Sequence, residues 1–220
     1  MAPAVLQAVI KLVAEQAPQA YVLIDETYRE AAYGDDQVRA SAVGLSEKVI
    51  SVASLSKCHG APGLRIGWAI TRDRALLNQL TVAKFNTVVS CSAVDEALAI
   101  RVMDRHERII AERRRALADG LHRTLDWVQA NRALVDWVQP DAGAICCVRL
   151  KPAVFDTAAV ERVYDDLAAH GVRVANGAWF GDDARVFRLG FGFLPLAELE
   201  AALATLSSCL HKAASSLSQV

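Results

Sequence analysis

The side chain most suited to covalent chemistry in this chain is Lys57, an amine flanked by Ser54 and Ser56 and followed by Gly60, Pro62, Gly63 and Arg65. An amine in such a loop can condense with a carbonyl to form a Schiff base. The hydroxyls and the guanidinium are donors suited to a phosphate. The stretch from Val49 to Trp68 therefore reads as an anion-and-carbonyl site contained in one loop. It lies between a β-branched run (Val49, Ile50, Val52) and a second apolar run from Leu64 to Ile70.

Two further charges stand in apolar settings. Asp25 ends the run Tyr21-Val-Leu-Ile-Asp25, which reads as a strand buried on both faces. A carboxylate there is costly unless a cation or proton donor meets it. By residue type it is either a cap of the following turn or a functional group, with Tyr28 three residues on. Arg188, within Val186-Phe-Arg-Leu-Gly-Phe-Gly192, is either a snorkelling arginine on an edge strand or a fork for a carboxylate.

The order of these residues carries a resemblance. Ser54-x-Ser56-Lys57 followed by Gly60-x-Pro62-Gly63-Leu64-Arg65-x-Gly67, with Asp25-Glu-x-Tyr28-Arg29 upstream and Arg188 downstream, resembles the class I/II aminotransferases. These are the fold-type-I enzymes that use pyridoxal 5'-phosphate. The resemblance implies an α/β chain: an incomplete large domain of the fold-type-I transferase over 1–130, with a long interdomain helix, and a small C-terminal α+β domain over 131–220. It implies transfer of an amino group between an amino acid and a 2-oxo acid, with Lys57 as the Schiff-base lysine and proton carrier. Asp25 would pair with the pyridine nitrogen, Tyr28 with the ring oxygen, Arg65, Ser54 and Ser56 with the phosphate, and Arg188 with the substrate carboxylate.

In that family a longer N-terminal part carries a glycine-containing phosphate loop, an aromatic that stacks on the ring and an N-P-x-G motif. None of these occurs in the 220 residues. The expectation is a chain lacking that part, whose partner is a second copy or the missing segment. The alternatives are an inactive or split half needing a complementary chain, and a different pyridoxal-phosphate reaction such as a lyase.

Composition narrows the field further. With 24 basic and 25 acidic residues the net charge is -1, which gives no basis for nucleic acid as a partner. No apolar run approaches the ~18 residues of a membrane span. The N-terminus has no basic region ahead of its apolar residues, and the cytoplasm is the expected compartment. Five cysteines form no C-x-x-C pair, and five histidines form no H-x-x-x-H pair, so no metal is expected. Ser54-Leu-Ser56-Lys57 also spells the S-x-x-K of penicillin-binding acyl-transfer enzymes, but no lysine is followed by Thr-Gly. No G-x-G-x-x-G opens a helix for a dinucleotide.

The elements that must position these residues alternate. An amphipathic helix is expected from Ala4 to Gln16, a surface connection over Gly34–Lys48, and a short helix from Ala75 to Val82 capped by Asp73 or Thr71. One long helix is expected from Ala93 to about Val128, with no glycine before Gly120. Strands follow at Val135–Val138 and Ala144–Leu150, around a turn at Pro140–Gly143, and again at Val172–Ala175 and Val186–Phe193. Helices are expected at Thr157–His170, stopped by Gly171, and at Leu196–His211, with a tail from Ser215.

Overall fold

The structure is a computed structural model that describes residues 3–33 and 40–215. The chain divides between Arg113 and Arg114 into two compact units.

The first unit opens with helix α1 (Pro3–Gln16) and is built on a three-stranded sheet. Strand β1 (Val22–Asp25) runs parallel to β2 (Val49–Ser54), and β3 (Gly67–Thr71) pairs antiparallel with the other edge of β2. Register sorts the side chains. Leu23 and Asp25 share a face with Ile50, Val52 and Ser54, whereas Ile24 lies beside Ser51 and Ile70 on the opposite face. Val49 and Ser51 are fully buried on that second face, while Leu23 is 63% exposed on the first. The expected two-sided burial of β1 is not met: Val22 and Ile24 are part-buried on one face, and Leu23 and Asp25 are exposed on the other.

Helix α2 (Arg74–Thr87) runs a full turn beyond the expected Val82. Asp73 is its cap, accepting the Ala75 and Leu76 N–H groups. The single long helix that was expected is two: α3 (Ala93–Met103) and α4 (His106–Ala130). No proline or glycine marks the break. The Arg105 N–H bonds to Val102 O, a tighter turn than α, and the ladder restarts from Arg105. Within the surface connection, residues 34–39 lie outside the described residues; a 3-10 turn at Ala42–Gly44 is fixed by Glu26, which accepts from Ala42 N–H at 2.6 Å.

The second unit carries the order β4-β5-β7-β6, all antiparallel: β4 (Val135–Trp137), β5 (Ile145–Leu150), β6 (Ala175–Asn176) and β7 (Val186–Gly190). Arg188 therefore sits on an inner strand, between Cys147 and Ala175, not on an edge. Strict alternation buries Cys146, Val148, Leu150, Phe187 and Leu189. Helices α5 (Thr157–Ala169) and α6 (Leu196–Ser215) bury Val160, Val163, Leu167, Leu203, Leu206 and Leu210. The Trp127 Nε1–H and the Asn131 Nδ2–H both donate to Ser207 Oγ at 2.9 Å, which fastens the end of α4 to α6. Gly120 permits the closest approach here, since a Cβ at that position would lie 2.3 Å from Phe191 O. Gly171 ends α5 at φ 73, as expected. Helix α6 carries on through Ser215, where the tail was expected to begin, and residues 216–220 lie outside the described residues.

Candidate functional site

The lysine loop is held by its neighbours in sequence. Leu55, 1% exposed, anchors it, donating its N–H to Ile66 O and accepting from Ala61 N–H. Between those ties Gly60 turns at φ 66 and bonds back to Lys57 O. This projects Lys57 into solvent just past the C-terminal end of β2. Asp25 ends the neighbouring parallel strand and stands in register with Val52, two residues before Ser54 on the same face. Crevices at the carboxyl ends of parallel strands are the usual ligand sites of α/β sheets.

Asp25 does cap the following turn, accepting Thr27 N–H at 2.9 Å. Hydrogen bonding from Thr27, by its side chain first and its N–H second, holds the carboxyl below the usual carboxylate range. Tyr28 is 46% exposed. Ser54 Oγ accepts the Ser56 N–H at 3.3 Å, tightening the start of the loop. Arg65 is exposed, left-handed at φ 53, and donates Nη1–H to Pro62 O at 2.7 Å. Asp25, Tyr28, Ser54, Ser56, Lys57 and Arg65 all lie in the first unit, at or just past the carboxyl ends of β1 and β2 or just before β3. Arg188 belongs to the second unit, where its guanidinium stacks on Phe180 at 3.9 Å from the ring centroid.

Residues 1–206 match the model for aminotransferase class I and II. The chain belongs to this family. It is 30% identical over 189 residues to capreomycidine synthase of Streptomyces vinaceus, covering 86% of this chain and 47% of that protein. It is 27% identical to the arginine–pyruvate transaminase AruH of Pseudomonas aeruginosa, covering 81% of this chain and 45% of the other. Among solved structures, a PLP-dependent aminotransferase from Streptococcus suis superposes with a TM-score of 0.83 at 26% identity, over 96% of this chain and 54% of that one. The PLP-dependent cyclase OrfR gives 0.82 at 27%, over 96% and 55%. The fold is therefore that of the fold-type-I α/β enzymes, and the chain spans about half the length of the relatives it matches. Among the described residues no helix is long and apolar enough to cross a membrane.

The donor set suits a pyridoxal phosphate: an amine, a carboxylate, a phenol, a guanidinium and two hydroxyls gathered at one end of one sheet. The first unit also holds a group that the histidine spacing did not reveal. His59 Nε2 lies 3.0 Å from His106 Nδ1, and each histidine has a ring nitrogen 3.7 Å from a Glu30 oxygen. His59 and His106 are 47 residues apart in sequence, so no local motif records their meeting. A small cavity adjoins them, lined in part by Glu30, Cys58, His59 and Trp68. Ser54 alone of the expected site residues reaches it.

Proposed function

We propose that this chain carries the lysine-bearing part of a pyridoxal-phosphate-dependent aminotransferase acting between an amino acid and a 2-oxo acid. The observation that carries the reading is the in-register placement of Asp25 beside β2, with Ser54 and the Lys57 turn directly beyond it. In this reading Asp25 holds a proton on the pyridine nitrogen, and hydrogen bonds from the Thr27 side chain and N–H favour its ionised form for that task. Tyr28 faces the ring oxygen. Arg65, Ser54 and Ser56 bind the phosphate, and Lys57 Nζ anchors the cofactor and moves the α-proton. Arg188, held flat by Phe180, takes the substrate carboxylate in two parallel hydrogen bonds. When bound, the cofactor supplies the electron sink for the carbanion. The reading divides the chain into a cofactor-domain portion over 1–130 and a small domain over 131–220.

A second reading keeps the cofactor and changes the reaction. It is favoured by the two relatives whose names are a synthase and a cyclase, each covered along most of this chain. Elimination or cyclisation uses the same cofactor chemistry with a different fate for the substrate side chain.

The test is to mix the protein with pyridoxal phosphate, reduce with borohydride and map the label. Stoichiometric label on Lys57, lost in Lys57→Ala and kept in Arg188→Ala, is the expected result. Label spread over several lysines in the unaltered protein sinks the site assignment. Given labelling, incubation with an amino acid and a 2-oxo acid separates the two reactions. The exchange of amino groups supports transfer, and consumption of the amino acid without exchange supports the second reading.

A further inference from the structure

The group formed by Glu30, His59 and His106 is not used in the function proposed above. It draws on three separate segments: the turn after β1, the lysine loop, and the first residue of α4. All three lie within the first unit. Their ligand-type atoms fall within 4.8 Å of one another. The His59 side chain is 3% exposed, Glu30 11% and His106 34%.

We propose that Glu30, His59 and His106 form a binding site for a divalent cation of the zinc class, which ties the lysine loop to the turn after β1. Two imidazoles and one carboxylate are a ligand set that zinc accepts, with a fourth position open to water. Tetrahedral ligands at about 2.0–2.1 Å from zinc stand about 3.3 Å apart. The two imidazole nitrogens, at 3.0 Å, need to part by a few tenths of an ångström, and the Glu30 Oε2, at 3.7 Å from His59 Nε2, needs to close by a similar amount. The Glu30 oxygen nearest His106 faces its Nε2 at 3.7 Å, so the edge from Glu30 to the ligating His106 nitrogen, which lies within 4.8 Å, closes by rotation of the Glu30 and His106 side chains.

The surroundings fit the assignment. Arg29 donates to Glu30 Oε1 at 3.1 Å and so orients the carboxylate, while Oε2 faces His59. His59 Nδ1 is buried with no hydrogen-bond partner among the described residues, so the polar contacts of this ring lie on its Nε2 side, toward His106 and Glu30. The cavity lined by Glu30, Cys58 and His59 leaves room for the fourth, water ligand.

A metal here acts at a distance of two residues on both sides of the cofactor site. Lys57 is two residues before His59, and Tyr28 two before Glu30. The cation would lock these segments together whatever reaction the site performs, so the inference is independent of the function proposed above.

The test uses the full chain, stripped with a chelator and then dialysed against Zn²⁺ or Co²⁺. One equivalent of zinc by elemental analysis is expected, with a visible d–d band of tetrahedral intensity for cobalt. The thermal midpoint should rise with Zn²⁺. His106→Ala changes a partly exposed side chain, and Glu30→Gln keeps the shape of the carboxylate; each should reduce zinc affinity at least tenfold and remove the thermal shift. Absence of bound zinc in the unaltered protein overturns the proposal. Equal zinc retention by both variants overturns it too, since the metal would then reside elsewhere, for example on cysteines.

Discussion

The two units of this chain differ most in how completely each buries its own apolar surface. In the second, alternation along β5 and β7 is matched by α5 and α6, and Leu150, Phe155, Phe187, Leu206 and Leu210 are all at 1% exposure or less. In the first, Val82, Phe85, Val88, Val89 and Val94 are each at least 60% exposed, and α1 buries none of its residues. Apolar surface on that scale marks a region built for contact with something else. The unit with the more open surface is also the one that carries the lysine loop. In the function proposed above, the cofactor-binding residues fall in the unit with the more open surface and Arg188 in the one that packs more fully.

Truncations give the widest test of this contrast. Leu206→Ala or Leu210→Ala in α6 should cost about 2–5 kcal/mol in urea unfolding followed by a probe in the second unit. Val82→Ala in α2, at 60% exposure, should be neutral or slightly stabilising, because alanine is the better helix former. Equal losses at both places would erase the distinction. A smaller difference is expected between two caps of the same design. Asp156 accepts Ala159 N–H at 2.7 Å at the start of α5, and Ser92 accepts Asp95 N–H at 3.3 Å at the start of α3. Alanine at Asp156 should cost about 1 kcal/mol, and at Ser92 about 0.5 kcal/mol, read from helix-specific amide exchange.

How much of this was open to reading from sequence follows from how local each feature is. Lys57, its serines and Arg65 lie within a dozen residues, and Asp25 ends an apolar run, so the lysine loop and its place after a strand were legible. The open face of β1 was not. A run such as Val22-Leu23-Ile24 reads the same whether the layer over Leu23 is present or not. The break before His106 was equally silent, because one tightened hydrogen bond at Arg105 makes it without a proline or glycine. Arg188 was readable as a charge among apolar neighbours, but its inner-strand position needed the pairing of β7 with both β5 and β6. The Glu30–His59–His106 group depends on three segments meeting, and pairwise spacing carries no trace of it.

The smallest effects concern acid. Asp73 is held below the usual carboxylate range chiefly by the Tyr21 hydroxyl, with help from the Leu76 and Ala75 N–H groups. Its folded pKa lies below its unfolded one, so its contribution is present above the unfolded pKa, near 4. That contribution is lost as pH falls through the lower folded value, and the start of α2 should fray in that window. Asp183, in the second unit, is lowered first by the Arg185 N–H and then by the charges of Arg185 and Arg149. Raising the salt concentration should therefore lift the Asp183 midpoint more than that of Asp73, as measured by carboxyl chemical shifts. Equal salt responses would mean that the two carboxylates are held in the same way.

Arg65 sets two requirements against each other at one position. Its left-handed backbone costs a non-glycine residue about 1 kcal/mol, a cost that glycine would not bear. Its guanidinium, in the role proposed for it, is what glycine cannot supply. A population of variants screened for survival of heat would drift toward glycine at 65, and one screened for retention of pyridoxal phosphate would hold arginine there.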